Sequence, residues 1–253
     1  MKLLVLGATS MIAHETAKRF AADDASIVLV GRDGERLAAV AGDLGARGAA
    51  GVETIVADLN DVVAHPALID DAWSRFGGID AVLVAHGTLG DQAASETDVD
   101  EALRQFHTNA TTYISLLTLA GNRLAQQKRG CIAVISSVAG DGGGRSNYVY
   151  GSAKSAVTSF ASGLRGRLAA HNVSVVTIKP GLVDTPMTAG IRKGPLAANA
   201  GDVGQRIYVA MLKGEDVVYT PWFWSPIMLA IRALLSGRDL AAERRDDEHQ
   251  HED

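Results

Sequence analysis

The sequence predicts an α/β fold, a doubly wound parallel sheet of about seven strands with helices on both faces. Three observations carry this reading. Short apolar runs alternate with helical patterns along nearly the whole chain. One run, Ile79 to Ala85, is apolar almost throughout, as expected of a strand covered on both faces. The first run, Leu3 to Leu6, ends in Gly7-Ala8-Thr9-Ser10 and leads directly into a helical pattern. Strand, tight small-residue turn and helix set backbone N–H groups and a helix N-terminus toward a phosphate.

Taken in order, the first helix spans Met11 to Phe20. A second strand, Ser26 to Val30, ends at Gly31-Arg32-Asp33, and a helix with Leu37 and Val40 follows. Val52 to Ala57 is the third strand, closed by Asp58-Leu59, and Ala67 to Phe76 is helical. After the fourth strand comes a polar loop from Thr88 to Thr97, then a long helix from about Val99 to Gln127. Gly130 to Ile135 is the fifth strand, followed by Ser136-Ser137 and a loop from Asp141 to Asn147 with three consecutive glycines. A helix carries Tyr150 and Lys154 to about Ala170. Val173 to Ile178 is the sixth strand, ended by Lys179-Pro180-Gly181. Asp184 to Ala200 is irregular, Asp202 to Leu212 helical, and Asp216 to Thr220 the last strand. Ligands in such sheets lie beyond the carboxyl ends of the strands.

The 253 residues suffice for one well-cored domain, and 47% hydrophobic with 21% charged residues is the composition of a soluble globule. The net charge of -5 is concentrated at the end: six acids between Glu243 and Asp253 face only Arg244 and Arg245, so the rest of the chain is nearly neutral. No basic cluster suggests a nucleic-acid surface. The single cysteine, Cys131, excludes an internal disulfide and fits a reducing compartment. The N-terminus reads as a buried strand rather than a signal peptide, and no segment reaches the roughly 20 apolar residues of a membrane span.

Tyr150-Gly151-Ser152-Ala153-Lys154 places a phenol and an ammonium one helical turn apart on one face. A lysine ammonium favours the phenolate, so the spacing predicts a Tyr150 pKa below the usual value of about 10 and a phenol fit for acid–base work. Tyr148, two residues earlier, points elsewhere. His86 and His107 have neither the spacing nor the partners of a metal or catalytic pair, and His249 and His251 lie in the charged tail. No metal site is predicted.

With these pieces in order the chain resembles the short-chain dehydrogenase/reductase family, over its length up to about Pro221. The resemblance rests on Gly7-Ala8-Thr9-Ser10-Met11-Ile12-Ala13 at the family's glycine-rich turn and Asp58-Leu59 after the third strand. It rests further on Ala85-His86-Gly87 after the fourth, Asn109 within the long helix, and Ser137 after the fifth. Tyr150 and Lys154 then follow at the usual distance, with Pro180-Gly181-Leu182-Val183-Asp184-Thr185 closing the sixth strand. Two departures stand out. Met11 and Ala13 replace two of the turn's three glycines, and the usual Asn-Asn-Ala-Gly is reduced to Val84-Ala85-His86-Gly87. The Gly-Ala-Thr-Ser-x-Ile-Ala turn, Ala85 to Asp91, Val149 to Lys154, Gly194-Pro195-Leu196 and Val218 to Pro221 are similar to one branch, the decaprenylphosphoryl-2-ketoribose reductases of mycobacteria and their bacterial relatives, which reduce the keto group of a lipid-linked pentose.

The resemblance implies a single NADP(H)-binding Rossmann-type domain over residues 1–240, with a substrate lid at 184–200 and an apolar helix at 225–236; residues 241–253 read as a disordered tail. It implies that Tyr150 donates a proton to a carbonyl oxygen as hydride arrives, that Ser137 orients that oxygen, that Lys154 binds the nicotinamide ribose and that Asn109 helps hold a relay water. Ser136 is not the family's matching serine. Gly7, Thr9, Ser10, Met11 and Ile12 stand at the cofactor's phosphates, Asp58 and Leu59 at its adenine, and Ala85 and Gly87 beside it. Pro180, Gly181, Val183 and Thr185 stand at its nicotinamide end. Arg32 after the second strand can fork onto a 2′-phosphate, and Gly31 stands where an acid would favour NAD(H), so NADP(H) is expected over NAD(H).

On the substrate side, Arg145, Arg192 and Lys193 are candidate phosphate binders or solvated surface charges. Ser225 can cap a helix with Pro226 at its first position, and Gly237 can end it. That helix, with Trp222 and Trp224 beside it, can lie in a membrane interface, cover the pocket or sit in a homodimer contact. The leading expectation is an NADP(H)-dependent carbonyl reductase for a keto-sugar, polyprenyl-phosphate-linked in the branch it resembles. The alternatives are a reductase of a small soluble ketone or secondary alcohol, and a non-catalytic NADP(H)-binding sensor or scaffold. A homodimer or homotetramer is implied, in the cytoplasm or peripheral at the inner face of the membrane.

Overall fold

The structure, a computed structural model, describes residues 1–142 and 144–233. In chain order the elements begin β1 (Lys2–Leu6), α1 (Met11–Ala22), β2 (Ser26–Gly31), α2 (Gly34–Ala46), β3 (Gly51–Val56), α3 (His65–Arg75) and β4 (Ala81–Val84). They continue with α4 (Gln92–Thr97), α5 (Val99–Phe106), α6 (Thr112–Gln127), β5 (Gly130–Ile135), α7 (Tyr148–Ala169) and β6 (Val173–Pro180). The last are β7 (Val183–Asp184), β8 (Ala198–Asn199), α8 (Ala200–Lys213) and β9 (Val217–Thr220), followed by a helix α9 over residues 224–233.

Seven strands form one parallel sheet in the order β3-β2-β1-β4-β5-β6-β9, as expected for the fold class, while β7 and β8 make a separate two-stranded pair. The order reverses between β1 and β4, the point beyond whose strand ends ligands of such sheets bind. Strand periodicity divides the core cleanly. Leu3, Val5, Ile27 and Leu29 face one side, with Phe20 of α1, Leu37 of α2 and Ile207 of α8. Leu4, Leu6, Val28 and Val30 face the other, with Ile69 of α3, Leu116 of α6 and Val157 of α7. Both faces of β1 and β4 are therefore covered, which is why these runs carry almost no polar residue.

Two local expectations change and one is refined. The polar stretch 88–97 is not all loop: Asp91 accepts from the Ala94 amide and caps the short helix α4. The long helix 99–127 runs unbroken as expected but passes through a π-helical turn, His107–Thr111, between α5 and α6. Helix α9 has already begun at Trp224, with Trp224 N–H donating to Pro221 O, so Ser225 and Pro226 lie within its first turn instead of capping it. The expected end of that helix, residues 234–236 with Gly237, and the charged tail with His249 and His251 lie outside the described residues. No described helix is long and apolar enough to cross a membrane.

Candidate active site

The turn after β1 is fixed by its neighbours. Gly7 has φ +88, and a Cβ there would stand 2.5 Å from the backbone nitrogen of His86. Only glycine permits β1 and the segment after β4 to approach this closely. Gly7 and Ala8 both donate to Val30 O, so the turn hangs from β2. Ser10 takes the N-cap position of α1 in extended geometry, but its side chain makes no capping hydrogen bond. Thr9 is exposed, Ser10 partly so, and Met11 is 42% exposed, whereas Ile12 packs against the core. The first amides of α1 thus open onto a cleft lined by Met11 and Glu15 on one wall and Asp184, Thr185, Pro186, Asn199 and Gly201 on the other. An anionic group fits a helix start there.

Arg32 is exposed at the end of β2 and makes no ion pair among the described residues. Its neighbour Asp33 is engaged instead as the N-cap of α2, accepting from the Arg36 amide at 3.0 Å. Asp58 is exposed and accepts from the Asn60 amide at 2.9 Å. The expected packing of Leu59 on a ligand ring meets a competing fact: its side chain is buried in the core on the α3 side.

The structure brings Ser137 close to Tyr150, and Lys154 lies one turn further along α7. Ser137 ends β5's extension and starts a 3₁₀ turn, Val138–Asp141, which lies against α7 with Gly140 facing the Lys154 backbone. Ser137 Oγ accepts from the Ala139 amide at 3.1 Å, and its hydroxyl is near enough to the Tyr150 phenol to lower that group's pKa. Ser136 points the other way, bonding Lys154 O at 3.0 Å and Thr158 Oγ1 at 2.7 Å. Tyr148 is 41% exposed, on another face of α7.

The expected depression of the Tyr150 pKa is not what the structure shows. Burial pushes Tyr150 up to about 12, against a smaller lowering by the nearby Ser137 hydroxyl. The same dryness pushes Lys154 down to about 7, with burial as its cause. The lysine amine turns from Tyr150 toward Ile135 O at 3.0 Å and Tyr113 Oη at 3.3 Å, leaving it 5.7 Å from the centre of the Tyr150 ring. Tyr150 therefore holds its proton at neutral pH.

Asn109 is fully buried in the π-helical turn. Its amide donates to Gln105 O at 3.0 Å and its oxygen accepts from the Thr88 amide at 3.1 Å. Gly87 has φ +150, and a Cβ there would come 2.7 Å from Asn109 Oδ1. Asn109 thus braces the segment that follows β4 and Ala85. A π turn at this point fits the frequent placement of such turns at functional sites.

At the other end, Pro180 and Val183 are buried, and Trp224 lays its indole against Gly181. Thr185 caps a short 3₁₀ turn, Pro186–Thr188. Lys193 is not a free cation, for it pairs with Asp184. Arg145 and Arg192 are exposed. His107 bonds Asn60 O at 2.9 Å, and among the described residues no cluster of His, Cys, Asp or Glu could hold a metal.

Sequence reasoning missed two groups here. Tyr113, four residues after Asn109, is fully buried against Lys154. Lys179, Asp141 and Tyr219 form a second buried polar cluster beyond Ser137. The i, i+4 spacing from Asn109 marked Tyr113; nothing local marked the three residues from separate elements.

The family model described as short chain dehydrogenase matches residues 2–195. An uncharacterized oxidoreductase of Mycobacterium tuberculosis is 38% identical over 232 residues, covering 92% of this chain and 93% of its own. Among solved structures, a short-chain dehydrogenase from Sphingobium yanoikuyae in complex with NADPH aligns with a TM-score of 0.79 at 25% identity, over 93% of this chain and 95% of its own. An NAD+-bound xylitol dehydrogenase aligns with a TM-score of 0.75 at 21% identity, over 83% of this chain and 91% of its own.

Proposed function

The chain belongs to the short-chain dehydrogenase family of oxidoreductases, and from that premise we propose that it is an NADP(H)-dependent carbonyl reductase in which Tyr150 delivers the proton. One observation carries the reading: the Ser137 hydroxyl lies close enough to the Tyr150 phenol to lower its pKa, with Lys154 buried one turn on. The family binds a nicotinamide cofactor, which when bound supplies the hydride. The protein's own part is to receive the carbonyl oxygen. Two hydroxyl donors meet where negative charge develops, in a site dry enough to raise one phenol to about 12. Tyr150 gives up its proton only as the oxygen becomes basic, and Ser137 holds that oxygen in place.

The α1 N-terminal amides with Thr9 and Ser10 suit the cofactor's pyrophosphate. Arg32, exposed and without an ion pair among the described residues, favours a 2′-phosphate, and the NADPH complex of the Sphingobium protein is in keeping with this. The substrate reading is a keto-sugar carried on a lipid. Its support is the apolar surface of the segment beside the cleft and of α9, where Met187, Leu196, Trp222 and Leu229 are exposed. The same surface suits peripheral contact with a membrane. Exposed Val99 and Leu103 on α5 suit contact with a second copy.

The test is NADPH oxidation with keto-sugars, polyprenyl-phosphate-linked ones included, beside simple ketones. Tyr150→Phe is expected to lose about 10²–10⁴-fold in turnover while still binding NADPH. Arg32→Ala should weaken NADPH and leave NADH little changed. NADPH binding without Tyr150-dependent turnover of any carbonyl would sink the proposal and leave a cofactor-binding sensor.

A further inference from the structure

Lys154 is the most exacting residue to hold in this site. It is 3% exposed, and its amine has no carboxylate partner among the described residues. A buried amine without a counter-ion needs neutral acceptors and polarisable faces in fixed positions. Helix α6 provides them. Tyr113 donates its hydroxyl to His86 O, so its oxygen lone pairs are turned toward Lys154 Nζ, 3.3 Å away. The same amine stands 4.4 Å from the centre of the Tyr113 ring. A strand carbonyl, Ile135 O, takes the remaining bond on that side at 3.0 Å.

Tyr113 is itself held. The His86 ring stacks on it, with centroids 4.3 Å apart and planes at 25°. Thr112 donates its hydroxyl to Thr108 O at 2.9 Å, so it can only accept from His86 Nε2, at 2.7 Å. His86 therefore carries its proton on Nε2, and its buried Nδ1 is left as an acceptor without a partner. Burial and the Lys154 charge push the His86 pKa down to about 3, which keeps the imidazole neutral beside the amine. His86 stands in one of the two places where the sequence departs from its family's usual motif, and the departure is thereby given a physical role.

We propose that Tyr113 is a positioning residue for Lys154, steadying the amine through its hydroxyl oxygen and its ring, with His86 and Thr112 locking Tyr113 in that pose. The inference rests on the Tyr150–Lys154 reading for its functional meaning, but the geometry it describes is independent of any substrate. The groups that face Lys154 are Tyr113 from α6, Tyr150 from α7, His86 from the segment after β4 and the Ile135 carbonyl of β5; none carries a negative charge at neutral pH. Tyr113 thus offsets part of the desolvation that lowers Lys154 to about 7.

The experiment is a carbon-13 NMR titration of the Lys154 side chain in the labelled full-length protein, the signal being identified by its loss in Lys154→Met. Tyr113→Phe removes the oxygen and keeps the ring; Tyr113→Leu removes both. The titration midpoint is expected to fall by about half a pH unit in the first and about one in the second, because each lost contact favours the charged form. A midpoint that stays or rises in Tyr113→Phe overturns the proposal. Tyr113→Phe is nearly isosteric, so it decides alone if Tyr113→Leu fails to fold. Tyr150→Phe separates the two readings. Turnover that survives it removes the acid role of Tyr150, whereas the midpoint shift bears only on Tyr113.

Discussion

Two lysines are buried near the carboxyl ends of the strands, and one difference separates them. Lys154 on α7 is 3% exposed and Lys179 on β6 is 5% exposed. Each faces a phenol ring, Tyr113 at 4.4 Å and Tyr219 at 5.4 Å. Lys179 forms an ion pair with Asp141, and the other oxygen of that carboxylate accepts from Tyr219 at 2.6 Å. Among the described residues, Lys154 has a carbonyl and a hydroxyl and no carboxylate. A compensated buried ammonium is a strut that joins β6, β9 and the turn after Ser137. An uncompensated one is poised near neutrality and can respond to what arrives beside it. The contrast separates a buried lysine whose charge is matched from one whose charge is not.

The largest expected effect tests the uncompensated lysine. Lys154→Met should cut turnover about a thousandfold, equivalent to roughly 4 kcal/mol on the barrier. It should also raise thermal stability, and the pH dependence fixes the sign. A lysine lowered to about 7 in the native state from its ordinary 10.5 binds fewer protons than the unfolded chain between those values. The native protein is then penalised fully below pH 7, and the penalty fades as pH rises to 10.5. The stability gain of the variant should be greatest at pH 6 and vanish by pH 10.5. A gain that grows with pH would mean that the site stabilises the ammonium. Activity lost and stability gained together is the pattern of a residue kept for function.

The paired lysine should behave in the opposite way. Asp141→Asn leaves Lys179 buried and unpaired, at a cost of about 3 kcal/mol, read as a fall in the denaturation midpoint. Exchanging both partners for apolar residues of similar volume should recover most of that loss. If Asp141→Asn is as stable as the wild type, the pair is not a strut.

How much of this was legible in the sequence follows from where the information lies. The sheet was readable because Leu3 to Leu6 and Ile79 to Ala85 are buried on both faces, and that leaves an apolar run. Ser137, Tyr150 and Lys154 were readable because one helical turn and one strand end fix them. The Tyr150 pKa was misjudged, for spacing reveals a neighbouring charge but not the dryness that raises the phenol and drains the lysine of its charge. Lys179, Asp141 and Tyr219 were invisible for another reason. Asp141 is 38 residues from Lys179 and 78 from Tyr219, and each looks locally like an ordinary polar residue at a strand end or in a loop. Only the strand order, with β9 beside β6, brings them together.

The smallest expected effect sharpens the same contrast. Tyr219→Phe removes one hydrogen bond to a carboxylate and leaves both the ring and the Lys179–Asp141 pair in place. A hydrogen bond to a charged group contributes about 1.5–3 kcal/mol, and the retained ion pair should hold the loss near the lower figure. Its partner in the comparison is Tyr113→Phe, which also deletes a single phenol oxygen beside a buried lysine. The Tyr219 variant should lose stability and keep its pH–activity profile, because its oxygen serves the Lys179–Asp141 pair and not Lys154. The Tyr113 variant should shift that profile and lose little stability. Equal behaviour of the two would dissolve the distinction between strut and tuned amine, and measuring both by denaturation midpoint and pH profile decides it.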